Sequence, residues 1–234
     1  MIESILTEPR IIIALSMLSL ASFMDLKKRE VHDLVWIVFG SVGALMYFIE
    51  PDLIQNPIPL LVASSITVTI AYLAYRIGLF AGADALALVA LGVIIPLYDG
   101  PNMLHEIAPL TILTNASIFA SLFLLVNAVR NTVSLVKGVP LFADFKESNM
   151  KKALAFFLGY KATKPSFAYS IEMGSEGGKK FDFSLINAEK TDYCAKPGSW
   201  VMVGLPFIVY MLAGLMAMVL VGDIMMLLLT RILG

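Results

Sequence analysis

The chain has 234 residues, of which 59% are hydrophobic and only 15% charged, with a formal net charge of −1. One small core cannot hide uncharged runs such as 53–75, 107–129 and 197–222, so soluble enzyme classes are excluded and the chain reads as an all-α polytopic membrane protein. The near-zero charge supplies no global field for nucleic acid, and a single cysteine, Cys194, excludes a disulfide framework and paired-cysteine metal sites.

Ahead of the first apolar run, Met1–Arg10 carries Glu3 and Glu8 and lacks a basic leader region, so the first helix is expected to stay in the mature protein. Stretches of about 20 mostly apolar residues predict six spans: Pro9–Lys28, Asp33–Ile49, Leu53–Tyr75, Ile77–Tyr98, Ile107–Val129 and Trp200–Leu229. Pro9 suits a first helical turn, Pro51 and Pro57 punctuate the chain before the third span, and Gly100 with Pro101 closes the fourth. Between the fifth and sixth spans lies the one long connection. The organisation predicted is therefore helices 1–5 over 1–129, a soluble insert over 130–199, and the sixth helix with the C-terminus over 200–234. Within the insert, Asn149–Lys161 has a helical pattern, while Phe167–Met173 and Lys180–Ile186 alternate like strands about the turn Gly174–Gly178. A small α+β domain is expected there.

Cations near helix ends orient such a chain. Lys27, Lys28, Arg29 and Arg76 fall in the first and third loops and eleven more cations in the insert, so one side of a six-span arrangement holds fifteen of the seventeen; Arg10 and Arg231 lie at the termini. The predicted topology has both termini outside and residues 130–199 in the cytosol, with Trp36 and Trp200 as aromatic-belt residues at the cytosolic interface.

An ionisable group in hydrocarbon costs a few kcal/mol on insertion scales, so each one needs a reason. Asp33 opens the second span and reads as a helix N-cap. Asp99 and Asp223 fall on the outer side, Asp223 as an interfacial anchor or a partner of Arg231. Asp25, at the exit of span one, and Asp84, near the entrance of span four, fall together in the cytosolic half. Two carboxylates in a low-dielectric cavity can share a proton and bracket a water for hydrolysis of a peptide bond. The same pair can bind the coupling ion of a proton-coupled transporter, or simply pair with Asn115 or Asn127 in a non-catalytic scaffold. His32 and His105 lie on opposite sides, so no metal site and no cofactor is expected.

The residues around the acids carry a resemblance. Ser22–Leu34, with Asp25, Arg29 four residues on, then Val31 and Leu34, resembles the first-aspartate segment of the prepilin and preflagellin peptidases. Phe80-Ala81-Gly82-Ala83-Asp84-Ala85-Leu86 resembles the motif Gly-x-Gly-Asp of the same intramembrane aspartyl proteases, in a looser archaeal form with Ala81 and Ala83 at the glycine positions and Leu86 where bacterial members have Lys. Bacterial relatives carry a cysteine-rich N-terminal domain for which this chain has neither cysteines nor room. The chain is thus most similar to archaeal preflagellin peptidases. The resemblance implies catalytic Asp25 and Asp84, and a membrane aspartyl endopeptidase that removes the short basic leader of preflagellin-like substrates at the cytosolic face, an activity serving the archaeal flagellum. Gly204-Leu205-Pro206 resembles the Pro-Ala-Leu motif of the presenilin branch, and reads also as a helix kink at Pro206. Small residues at 81–83 would let a peptide approach closely, and Arg29 would steady Asp25 or meet lipid phosphates. Membrane lipids are the other expected partner.

Overall fold

The computed structural model describes residues 8–50, 56–164, 167–174, 178–183, 193–194 and 196–233. The chain forms two compact units, Met1–Ala120 with Pro206–Gly234, and Ser121–Leu205. In chain order the helices are α1 (Pro9–Lys28), α2 (Leu34–Ile49), α3 (Pro57–Arg76), α4 (Gly82–Ile94), α5 (Ala108–Val136), α6 (Asn149–Leu158), α7 (Phe207–Val221) and α8 (Ile224–Leu233). The strands are β1 (Tyr160–Lys161), β2 (Ala168–Ser170), β3 (Glu172–Met173), β4 (Lys180–Phe181) and β5 (Trp200–Val203).

Pro9 and Pro57 open α1 and α3, where a missing N–H costs nothing. At the other end of α1, Arg29 takes the left-handed conformation (φ 58°) and donates its N–H to Asp25 O. The predicted span Ile77–Tyr98 is corrected at both ends. Ile95 precedes Pro96, which disfavours helical backbone, and sits extended at φ −138°, ψ 71°; the chain then pairs Leu97 with Ile107. In front of α4, the N–H groups of Gly78, Leu79 and Phe80 donate to Tyr75 and Ala74 carbonyls, so these residues cap α3 and do not start the next helix.

Among the described residues, three helices, α1, α3 and α5, are long and apolar enough to cross a membrane, and α7 with α8, bent by 58°, would make a fourth. The apolar helices α2 and α4 have 16 and 13 residues. At about 1.5 Å per residue these are roughly 24 and 20 Å long, below the ~30 Å of a hydrocarbon core without their flanks. Gly43 on α2 lies against α4 so closely that a Cβ there would be 2.9 Å from Ile94 Cα, and Tyr47 Oη donates to Val93 O at 3.0 Å. The end of α4 therefore lies beside the C-terminal half of α2, and the two run parallel. Arg10 at the start of α1 donates to Ile94 O at 2.8 Å, and Ser64 on α3 to Gly92 O at 2.9 Å, so α1 and α3 run antiparallel to α4.

The predicted last span, Trp200–Leu229, is corrected more deeply. Trp200–Val203 is the strand β5, and the helix begins only after Pro206. It breaks again at Gly222, whose φ of 91° suits glycine and whose missing side chain leaves space for the Pro101 carbonyl. Asp223 then caps α8: its Oδ1 accepts the N–H groups of Met225 and Met226 at 2.8 and 3.3 Å. It is 1% exposed and so is neither an interfacial anchor nor a partner of Arg231. Asn115 on α5 bridges the break, donating to Gly222 O at 3.0 Å and Gly214 O at 3.4 Å and accepting from Ile224 N at 2.9 Å.

In the second unit β5 lies between β1 and β2, antiparallel to both, with Tyr160 opposite Val201 and Ala168 opposite Val203. The expected strand pair over Phe167–Met173 and Lys180–Ile186 becomes the short β3–β4 ladder, Glu172 opposite Phe181, and residues 184–186 of it lie outside the described residues, as do 175–177 of the turn. Helix α6 is shorter than Asn149–Lys161, because Gly159 leaves the helix extended and Tyr160–Lys161 pair as β1. Phe145, Phe181 and Trp200 form the core. Trp200 is fully buried and donates from Nε1 to Leu141 O, and Trp36 is buried in the helical unit, so neither is a belt residue. The helix predicted to end at Val129 continues to Val136, since the first positive-φ glycine after it is Gly138. Asn127 and Asn131 on this extension donate to the carbonyls of Phe157, Phe156 and Gly159.

Replacing Asn115 by Leu keeps the volume but strands Gly222 O and Ile224 N–H in a buried site. Asn115→Leu should destabilise the protein by about 2 kcal/mol or more in thermal unfolding in detergent, while Ser117→Ala, at an exposed position, should not. Equal melting of Asn115→Leu and the unaltered protein would show that the break holds without the bridge.

Candidate active site

Asp84 is the third residue of α4 and is 9% exposed. Its Oδ2 accepts the Ala81 backbone N–H at 3.2 Å, which is one limb of a capping box; the other limb is missing because an alanine side chain accepts nothing. Gly82 and Ala83 form the start of the helix, and Ala81, in extended conformation (φ −71°, ψ 162°), precedes it. No side chain larger than a methyl therefore stands between the acid and the loop before it.

Asp25 is half-buried in the last turn of α1, and the Arg29 guanidinium, one turn on, acts on it electrostatically. Arg29 is itself partly buried, so it faces inward as well as toward the surface. Because α1 runs antiparallel to α4, the end of α1 and the start of α4 lie at the same end of the bundle. Asp25 and Asp84 are thus brought to one end of one unit. Asp33, expected to cap α2, occupies the cap position with helical backbone (φ −55°, ψ −28°) but makes no side-chain cap bond; the Leu34 N–H instead donates to His32 Nδ1 at 3.3 Å.

Straight, upright helices would leave the two acids at different heights. Counted from the contact between Arg10 and Ile94, Asp84 lies about 15 Å along α4 and Asp25 about 22 Å along α1, a difference of about 7 Å on straight helices. Hydrogen-bonded carboxyls require oxygens roughly 2.6 Å apart.

The remaining motif residues divide. Pro206 stands at the cap position of α7 and makes no kink inside a helix, and Phe207 after it packs its ring 5.2 Å from that of Phe80, four residues before Asp84. The start of α7 is thereby at the acid end. Gly204 belongs to the second unit, where its N–H donates to Phe167 O. Asn115 and Asn127 bond carbonyls, Asn115 also the Ile224 N–H, and neither is the partner of an acid that the scaffold reading required. Among the described residues, no group of three or more His, Cys, Asp or Glu could hold a metal ion.

Residues 12–126 match the type IV leader peptidase family, a stretch that contains both acids and the helices that carry them. Over 224 residues the chain is 27% identical to a preflagellin peptidase of Methanocaldococcus jannaschii, covering 88% of this chain and 91% of that one.

The difference in height is directly measurable. A disulfide needs Cα atoms within about 7 Å. In Asp25→Cys with Asp84→Cys in a Cys194→Ser background, oxidation of the resting protein is expected to cross-link slowly and incompletely. Rapid, complete cross-linking would show that the two positions already adjoin.

Proposed function

We propose that the chain is a member of the type IV leader peptidase family, which its residues 12–126 match, and that Asp25 and Asp84 are its catalytic pair. The chain is an aspartic membrane endopeptidase that removes leader peptides, and the family match favours this activity over proton-coupled transport. The observation that carries the assignment of the pair is that antiparallel α1 and α4 deliver these two acids, from separate helices, to the same end of one bundle. One carboxylate acts as general base on water. The other, protonated, polarises the scissile carbonyl and then protonates the departing amine. Because their heights differ, the helices tilt or slide by several Å as the peptide binds, so that the pair assembles on its substrate and idle hydrolysis is restrained.

The substrate proposed is a preflagellin-like or prepilin-like protein, in line with the preflagellin peptidase to which the chain is similar. Its apolar segment lies against the helices and its basic leader remains at the interface, where the scissile bond meets the acids. Six crossings are proposed, with α2 and α4 extended by their flanks and α7–α8 a single broken span. The alternating directions of α1, α2, α3 and α4 support this, and the cation-rich loops support a cytosolic acid end and outer termini.

Asp25→Asn and Asp84→Asn should each reduce cleavage of a purified preflagellin in detergent to background, without loss of folding. Asparagine at 84 can still accept the Ala81 N–H, which is why Asn and not Ala is the test. Asp33→Asn and Asp223→Asn should retain activity. Full activity in either of the first two variants would remove the pair from the mechanism. For topology, cysteines replacing Glu30 and Lys179 in a Cys194→Ser background should be labelled by an impermeant reagent only from the cytosolic side, and one replacing Asp99 only from outside; labelling of 99 and 179 from one side would refute six crossings.

A further inference from the structure

Two side-chain polar atoms at the acid end of the helical unit, Ser22 Oγ and Trp36 Nε1, have no hydrogen-bond partner. Both residues are more than nine-tenths buried, at 5% and 6% exposure. A helical hydroxyl commonly donates to the carbonyl four residues earlier, as buried Thr67, half-buried Ser134 and the exposed Thr69, Ser117 and Thr132 do here, whereas the buried Thr111 hydroxyl is without a partner among the described residues. Ser22 Oγ has none either. An indole N–H is a donor and nothing else, and leaving one dry forfeits the hydrogen bond it would make to water.

Their positions bear on the acids. Ser22 is three residues before Asp25 on α1, hence on the same face of that helix. It lies about 18 Å from the Arg10 level, between Asp84 at about 15 Å and Asp25 at about 22 Å. On α2, Trp36 is about 10 Å before Gly43, the residue that touches Ile94, and its side chain leans toward the N-terminus of its helix, which carries the indole toward the level of Asp84. Trp36, Ala21, Ala87 and Leu88 all belong to the buried core of the helical unit, which α1, α2 and α4 build together. By this count Ser22 falls between the levels of the two carboxylates, and the Trp36 indole approaches that of Asp84.

We propose that Ser22 Oγ and Trp36 Nε1 are the backbone-binding groups of the site, donating to carbonyl oxygens of an extended peptide laid between Asp25 and Asp84. A peptide drawn out of helical conformation into a dry layer loses its internal hydrogen bonds, and its carbonyls need donors there. A donor-only indole and an uncommitted hydroxyl fit acceptors of that kind, and they serve any side-chain sequence. This rests on the peptidase reading above, in which the acids carry the chemistry and these two residues hold the peptide.

The test uses the full chain in detergent with purified preflagellin and compares Ser22→Ala, Trp36→Phe and Ser22→Thr. The first two should lower kcat/KM by about three- to tenfold each, and Ser22→Thr, which keeps the hydroxyl, should stay near the unaltered enzyme. Since the deleted hydroxyl has no partner inside the protein, the melting temperature of Ser22→Ala should be unchanged or raised; Trp36→Phe also removes core volume and should melt somewhat lower, so both are assayed well below their melting temperatures. Added to the non-cleaving Asp84→Asn background, each should weaken preflagellin binding by the same factor. The proposal is overturned if both variants cleave within twofold of the unaltered enzyme, or if activity falls only in step with a lowered melting temperature. An unaltered enzyme that does not cleave would instead refute the peptidase reading itself.

Discussion

Helices in hydrocarbon gain little by burying apolar surface against one another, because lipid tails are equally apolar, so their association depends on close van der Waals approach. In the helical unit this requirement converges on α4. Gly43 of α2 abuts Ile94, and Gly92 of α4 abuts Thr67 of α3, where even a methyl group would press on its neighbour. Ala87, Leu88, Ala90, Leu91 and Ile94 are consequently all buried, whereas Ile37, Val38, Leu45 and Phe48 of α2 and Ile58, Leu61 and Val62 of α3 are exposed. Surrounded on several sides, α4 can carry an acid in its first turn without presenting it to lipid.

Close approach alone does not fix register, since apolar helices can slide. Arg10 supplies the pin. Its Nε meets Glu50 Oε2 at 2.7 Å, its Nη1 meets Ile94 O at 2.8 Å, and its guanidinium lies 4.2 Å from the centre of the Tyr47 ring. A buried charge broken from its partner is strongly unfavourable, so a slide of any of these three helix ends is penalised in proportion to what it breaks. The pin stands at the end of the bundle opposite the acids, and it sets the levels at which Asp84 and Asp25 arrive.

The sequence disclosed those parts of this arrangement that have a cost visible without coordinates. Pro9 and the basic run Lys27-Lys28-Arg29 delimit α1 to the residue, and Asp25 and Asp84 stand out because a charge in hydrocarbon demands a reason. Hydropathy, by contrast, cannot see where an apolar run ceases to be helical. Ile95-Pro96 stops α4 in mid-run, Trp200–Val203 is apolar but pairs as a strand, and Gly222 breaks a helix whose composition does not change across it. Burial of neutral polar groups is equally silent. Ser22 and Trp36 have ordinary places in an apolar helix by composition, and their lack of partners exists only in the packed structure. Arg10 counted in the sequence only as a terminal cation, because nothing in a linear reading brings residues 10, 47, 50 and 94 together.

The shortness of α4 gives the location of the acid its physical sense. In the proposed six-crossing arrangement its roughly 20 Å would span only part of a ~30 Å hydrocarbon layer, and with its end pinned by Arg10 its start would lie within the layer or at its margin. Irregular backbone at such a depth is tolerated only where its polar groups are satisfied within the protein. Here they are: Gly78, Leu79 and Phe80 donate to the closing carbonyls of α3, and Ala81 donates to Asp84. Asp84 is thus the group that makes a helix start possible at that depth, as well as an acid in reach of whatever lies beside it. A helix ending deeper in the bilayer would keep water out, and one reaching the surface would place the acid among headgroups. Between those limits, a carboxylate anchored at the lip of a small-residue gap can meet both a water from the aqueous side and a peptide from the lipid side, which is the condition hydrolysis within a membrane has to meet.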